Sequence, residues 1–210
     1  AEITYASGMS YNLASLPSQI IVKNYSDATL QRRTATYDSR GKLIQLVRYN
    51  NSSANAQYDF TYDTCGNLSH VILPANANGQ RIEYRYQYDS VVHTYPILVE
   101  NMSLGYQSSA RYDFMYGKPT QTVDINGNTM TYIYDAAGRN TVILAPYEID
   151  SGRPYTIKME YYPKNYGRIN IFGNDTTQNF ARTFHYDPQH QTDDITTTLL
   201  SDGLGRMLQT

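Results

Sequence analysis

Four short stretches of this chain share one pattern. Tyr37-Asp38-Ser39-Arg40-Gly41-Lys42, Tyr62-Asp63-Thr64-Cys65-Gly66-Asn67 and Tyr134-Asp135-Ala136-Ala137-Gly138-Arg139 each read Tyr-Asp-x-x-Gly. Ser201-Asp202-Gly203-Leu204-Gly205-Arg206 keeps Asp-x-x-Gly with Ser in place of Tyr. No other feature limits the fold as much, because each copy is a turn with a mechanism. The Asp carboxylate accepts the backbone N–H two residues on. The Gly three residues after Asp supplies the φ > 0 residue at which a type I turn hands over to a bulge. The Tyr belongs to the strand that enters the turn, and the residues after Gly begin the strand that leaves it.

The spacing predicts a repeat. Tyr37, Tyr62, Tyr88, Tyr112, Tyr134, Tyr162 and Tyr186 follow one another at steps of 22 to 28 residues. Tyr88-Asp89, Tyr112-Asp113 and Tyr186-Asp187-Pro188 read as degenerate copies. A unit of two strands and two turns fits this step, given strands of about 5–6 residues. Between the turns the side chains alternate as a half-buried strand requires. Ile82, Tyr84, Tyr86 and Tyr88 point one way, and Arg81, Glu83, Arg85 and Gln87 the other. Tyr58, Phe60 and Tyr62 alternate likewise, as do Tyr112, Phe114 and Tyr116, and Met130, Tyr132 and Tyr134. Asn78-Gly79 and Asn126-Gly127 signal further hairpin turns. Residues 1–32 are the least regular part, with one strand expected at Ile20-Ile21-Val22, and residues 33–210 form the repeat region. No helical periodicity is sustained, and no linker is long enough to mark a second domain.

Composition excludes several classes. The net charge of −2 argues against a nucleic-acid partner or a polybasic membrane patch. No apolar run approaches the ~20 residues of a membrane span. Cys65 is the only cysteine, so no internal disulfide forms. The chain opens on Ala1-Glu2-Ile3 and stops within an expected strand at Met207-Leu208-Gln209-Thr210, which reads as a piece of a longer protein.

These residues resemble the YD-repeat family, also called RHS repeats, whose signature is Tyr-Asp-x-x-Gly-Arg. Val123-Asp124-Ile125-Asn126-Gly127-Asn128 followed by Thr129 to Arg139 is similar to one full family unit. The closing Asp202-Gly203-Leu204-Gly205-Arg206 is similar to the variant in bacterial members related to the B components of toxin complexes. The resemblance covers residues 33–210. It implies an all-β fold of tandem antiparallel hairpins laid into a long curled sheet, part of a shell that in bacterial relatives encloses a toxic C-terminal domain. In animal relatives, the teneurins, the repeats stand on cell surfaces as adhesion proteins. The self-cleaving aspartyl segment of bacterial members is not matched, since Asp187-Pro188 lacks the following Gly.

Outside the turns, the candidate chemistry is thin. His185, Asp187 and His190 fit no metal-ligand spacing, and Asp187 reads better as a turn cap. Asp124 to Asn128 has its Gly two residues too early for a calcium loop. Cys65 and His70 make a poor nucleophile and base, because Cys65 fills the slot that Ala137 fills in the sister motif. Asp193 and Asp194 are adjacent on the backbone and point apart on a strand. Asn24, Asn51, Asn67, Asn101 and Asn174 begin Asn-x-Ser/Thr sequences, as an Asn- and Ser-rich chain will.

The reading that follows is a non-enzymatic structural segment, secreted or at the cell surface, without cofactor, metal or catalytic residue. Its working residues are those of the turns: Tyr37, Asp38 and Gly41; Tyr62, Asp63 and Gly66; Tyr134, Asp135, Gly138 and Arg139; Asp202, Gly205 and Arg206. Expected partners are further repeats of the same polypeptide and a C-terminal effector, with self-association of the isolated segment. The alternative is a carbohydrate- or cell-surface-binding module that stacks a glycan on Tyr84, Tyr86 and Tyr132. The tyrosine rows are favoured as packing elements over glycan platforms, since paired rings on a sheet contribute ~0.5–1 kcal/mol each.

Overall fold

The computed structural model describes residues 1–7, 15–49, 55–162, 179–187, 189, 194–201 and 206–209. It is all-β. Sixteen strands are Glu2–Tyr5 (β1), Pro17–Lys23 (β2), Thr29–Tyr37 (β3), Leu43–Tyr49 (β4), Asn55–Tyr62 (β5), Leu68–Ala75 (β6), Arg81–Tyr88 (β7), Pro96–Asn101 (β8), Tyr106–Asp113 (β9), Lys118–Val123 (β10), Thr129–Tyr134 (β11), Asn140–Leu144 (β12), Ile157–Tyr162 (β13), Asn179–His185 (β14), Ile195–Ser201 (β15) and Met207–Gln209 (β16). One short helix, Pro146–Asp150 (α1), interrupts them.

Two compact units divide the chain, Ala1–Ser109 and Ala110–Thr210, with the boundary inside β9. In the first, β1 to β9 pair antiparallel in chain order. In the second, β10 to β16 do the same. Tandem antiparallel hairpins are therefore the fold. A meander of this kind sends successive turns to opposite rims of the sheet. In the first unit, β1–β2, β3–β4, β5–β6 and β7–β8 turn at one rim, and β2–β3, β6–β7 and β8–β9 at the other.

Residues 1–30 hold β1, β2 and the start of β3, with an antiparallel register of the same kind as the rest. The reading of Tyr112, Phe114 and Tyr116 as one strand needs correcting. β9 ends at Asp113, whose carboxylate takes the N–H groups of Met115 and Tyr116, and Gly117 follows with φ of 65°. Tyr186-Asp187 also falls out of phase. It lies between β14 and β15, at the rim of the second unit opposite Asp113 and Asp135. The helix was not legible either. Pro146 sets φ for its first turn, but five residues carry no amphipathic period.

Burial is shallow. Among the described residues the buried apolar side chains are Val71, Phe180 and Leu200. Most strand residues are half-buried, which is what one sheet layer leaves when neighbours cover each other's flanks. No described helix is long and apolar enough to cross a membrane.

Candidate functional site: a staple between successive turns

The recurring turn closes in the same way each time. Asp38, Asp63 and Asp135 each donate their N–H to the carbonyl four residues on, and accept the Gly N–H at their own carbonyl. The Asp38 and Asp135 carboxylates take the N–H groups of Arg40 and Lys42, and of Ala137 and Arg139. Asp63 takes Asn67 N–H at 2.8 Å. Gly41, Gly66 and Gly138 have φ of 82°, 97° and 73°. Such donors hold the Asp63 and Asp135 carboxyls below the usual carboxylate range. For Asp135 the Arg139 N–H is the main cause, then its guanidinium. For Asp63 burial pulls upward, and the hydrogen bonds from Asn67, Gly66 and Cys65 outweigh it. Asp202 and Gly205 of the fourth motif lie outside the described residues; Arg206 is exposed.

The opposite rim uses the same device, which the Asn-Gly dipeptides hid. Asn76 Oδ1 accepts Asn78 and Gln80 N–H, and Asp124 Oδ1 accepts Asn126 and Asn128 N–H. The turns are thus Asx-x-x-Gly, one Asx earlier than the dipeptide suggests. Asn24 does the same for Ser26 and Ala28, with Asp27 at φ of 66° in the glycine slot. Asp89 goes further without any Gly. Its carboxylate accepts five N–H groups, from Val91, Val92, His93, Thr94 and Tyr95. Burial opposes its ionisation, but those five donors win and its carboxyl sits far below the usual range.

The tyrosines do something the alternation does not reveal. Tyr37 Oη donates to Pro17 O at 3.0 Å, Tyr62 to Leu43 O at 2.9 Å, Tyr88 to Leu68 O at 3.0 Å, Tyr134 to Pro119 O at 2.7 Å and Tyr161 to Asn140 O at 2.8 Å. Leu43, Leu68, Pro119 and Asn140 each stand two residues after the glycine of the preceding turn. The residue between glycine and acceptor supplies a second contact. Lys42 Nζ lies 4.9 Å from the Tyr62 ring centre, Lys118 Nζ 5.6 Å from that of Tyr134, and the Arg139 guanidinium 4.5 Å from that of Tyr161. Five further cation–ring contacts occur among the described residues, at 4.6 to 5.7 Å from the ring centres. At Tyr62, Tyr134 and Tyr161 hydroxyl and ring together form a staple to the turn before, and at Tyr37 and Tyr88 the hydroxyl forms it. Burial raises the Tyr62, Tyr88, Tyr134 and Tyr161 hydroxyl pKa values, so all four remain donors at neutral pH.

Turns also touch directly. Tyr116 Oη donates to Ala136 O at 2.6 Å, and Lys118 Nζ to Gly138 O at 2.5 Å. A Cβ on Gly138 would sit 2.6 Å from the Tyr116 ring. Asn67 Nδ2 donates to His93 O at 2.6 Å, joining the Asp63 and Asp89 turns.

The other candidates fall as follows. Tyr84, Tyr86 and Tyr132 are half-buried in their strands, and Tyr132 Oη lies 3.5 Å from Thr122 Oγ1. His70 pairs with Glu83 at 2.5 Å, and Cys65 is exposed. His185 is exposed, Asp187 accepts Gln189 N–H, and His190 lies outside the described residues. No described cluster of His, Cys, Asp or Glu could hold a metal. Asp194 accepts the Tyr155 hydroxyl; Asp193 lies outside the described residues. Asn24, Asn67 and Asn101 spend their side-chain amides on turns, and Asn51 and Asn174 lie outside. A cavity of 270 Å³ lies between Arg139, Tyr161, Phe180 and Leu199, but Arg139 is already held by Asp135 at 2.7 Å.

The sequence matches no family model and no curated protein. Among solved structures, a crystal structure of TcdB2-TccC3-Cdc42 is similar over 86% of this chain and 10% of that chain, at 15% identity and a TM-score of 0.47. TcdB2-TccC3 without its hypervariable C-terminal region is similar over 86% and 10%, at 15% identity and 0.46. The Photorhabdus luminescens Tc holotoxin pore is similar over 87% and 14%, at 10% identity and 0.36. This chain thus spans about a tenth of the length of the first two.

Proposed function

We propose that this chain is a non-enzymatic wall segment of a longer, secreted or surface-exposed protein of YD-repeat type, and that the wall encloses a C-terminal effector. The staple is the observation that carries this reading. Each described Tyr-Asp-x-x-Gly copy spends its tyrosine hydroxyl on a carbonyl of the preceding strand, and Lys42, Lys118 and Arg139, each next after a turn glycine, lie on the rings of Tyr62, Tyr134 and Tyr161. Residues committed to their neighbours build an extended surface, and a repeat whose stability comes from the next repeat suits a wall. The motif resemblance points the same way. Such a wall has the further repeats of its own polypeptide as first partners.

Limited proteolysis of the full-length gene product tests the reading. Whatever follows Thr210 is expected to resist protease in the intact protein and to become cleavable when Tyr62, Tyr134 and Tyr161 are all changed to Phe. Equal cleavage of that region with and without the staples would overturn the wall.

A further inference from the structure

Within the second unit, β12 and β13 share a described ladder of two pairs, Val142 facing Lys158 and Ile143 facing Ile157. The ladders on either side are longer, with four pairs between β11 and β12 and six between β13 and β14. Fewer paired residues make a strand pair easier to part, so this seam is weaker than both of its neighbours. The connection also permits parting. The tight Asp135 turn joins β11 to β12, whereas residues 145–156, with α1 inside them, join β12 to β13. That length lets the two strands separate while each keeps its other neighbour.

Side chains strap the seam at both ends. At one end Tyr161 Oη donates to Asn140 O at 2.8 Å, and the Arg139 guanidinium, held by Asp135, lies on the Tyr161 ring. At the other end Thr156 makes three bonds. Its N–H donates to Ile143 O at 2.8 Å, its Oγ1 accepts the Ala145 N–H at 2.6 Å, and the same hydroxyl donates to Glu148 Oε2 at 2.5 Å. Glu148 is 6% exposed, so this strap is anchored inside the fold. One atom works against closure. Asn140 Oδ1 is buried without a hydrogen-bond donor, which costs its desolvation and which water would relieve.

We propose that the second unit opens along this seam as one cooperative local event, with Tyr161 and Thr156 as the two straps that set how often. The parted sides keep their outer ladders: β12 stays on β11, and β13 stays on β14. Opening hydrates Asn140 Oδ1 and uncovers the facing edges of β12 at Val142 and Ile143 and of β13 at Ile157 and Lys158. The line of opening depends on ladder and strap geometry alone and stands whether or not the chain walls a cargo.

Native-state hydrogen exchange of the 210-residue chain, followed amide by amide, tests it. Amides bonded across the seam are expected to exchange together, and faster than those between β13 and β14. Tyr161→Phe keeps the ring under Arg139 and should speed the seam amides about fivefold, the worth of one hydrogen bond. Tyr134→Phe, the same loss one hairpin earlier, should leave them unchanged. Thr156→Val should speed them at least as much as Tyr161→Phe, and Thr156→Ser, which keeps the hydroxyl, should hold them near the native rate. A lock reads the same event from the other side. In a Cys65→Ser background, Ile143→Cys with Ile157→Cys places thiols on facing residues within disulfide reach. Oxidation should slow the seam amides to the rate of the β13–β14 pair, and reduction should release them. Seam amides that exchange no faster than those between β13 and β14 would overturn the opening. So would a Tyr161→Phe effect spread equally over every amide of the unit, because the seam then parts only when the whole unit unfolds.

Discussion

Gly127 and Gly138 fill the same slot of the same turn, with φ of 83° and 73°, yet their surroundings differ. A Cβ on Gly127 would meet nothing within 4 Å, whereas one on Gly138 would strike the Tyr116 ring. Gly127→Ala should therefore cost only the left-handed backbone penalty of about 1–2 kcal/mol. Gly138→Ala must add displacement of the ring that donates to Ala136 O. Melting temperatures of the two variants are expected to separate clearly, and equal losses would show that backbone conformation alone fixes the glycine. Tyrosine at the staple yields a second prediction. Tyr134→Phe keeps the ring under Lys118 but loses the bond to Pro119 O, at an expected cost of about 1 kcal/mol. Burial is the main cause raising the Tyr134 hydroxyl pKa, so the stability it lends is complete below the unfolded value near 10 and fades as pH rises through the higher folded one. Thermal melts from neutral to alkaline pH should bring the native chain and Tyr134→Phe together. The glycine slot was legible because its chemistry is local. The staple was not, because Tyr134 and Pro119 are joined only by the register of β10 with β11.

At the scale of the hairpin, the β7–β8 connection shows how far one carboxylate can replace a motif. It lacks the glycine, and His93 takes φ of 54° in a left-handed conformation. Asp89 compensates by gathering five N–H groups on both oxygens, with 3% of its surface exposed. Asn at this position offers one oxygen, so Asp89→Asn should strand the Thr94 and Tyr95 N–H groups that now meet Oδ2. The carboxyl is depressed in the fold, so its contribution is present above the unfolded value near 4 and is lost as pH falls through the lower folded one. Acid unfolding followed by circular dichroism should show the native chain losing stability below pH about 4 more steeply than Asp89→Asn. Parallel profiles would mean that the ionised carboxylate does not hold this loop. The sequence shows strands well where side chains alternate, as over Arg81 to Tyr88. It misleads where a strand and a turn share aromatic spacing. Phe114 and Tyr116 continue the alternation of Tyr112, but the carboxylate of Asp113 bends the chain before them.

At the scale of the whole molecule, the missing quantity is buried apolar surface. Val71, Phe180 and Leu200 are the buried apolar side chains among the described residues, while Ile3, Leu30, Val91, Leu104, Met115 and Ile195 stand exposed. The fold is then held by ladder hydrogen bonds, half-covered strand flanks, the N–H groups gathered by turn carboxylates and the staples between turns. Unfolding such a chain uncovers peptide groups in the usual number but less hydrocarbon than usual. Those two exposures move the heat capacity in opposite directions, apolar upward and polar downward. An ordinary domain of 210 residues should show an increment of about 2.5–3.2 kcal/mol/K on unfolding. Scanning calorimetry of the dilute chain is expected to give less than the lower bound, and the urea m-value should fall below its size class in step, because both follow the area exposed. Dilution matters, since any face covered by a second copy would return apolar area to the balance and raise both numbers. A dilute value within the ordinary range would mean that the apolar side chains are covered in solution. The staples would then be a minor addition to a conventional core.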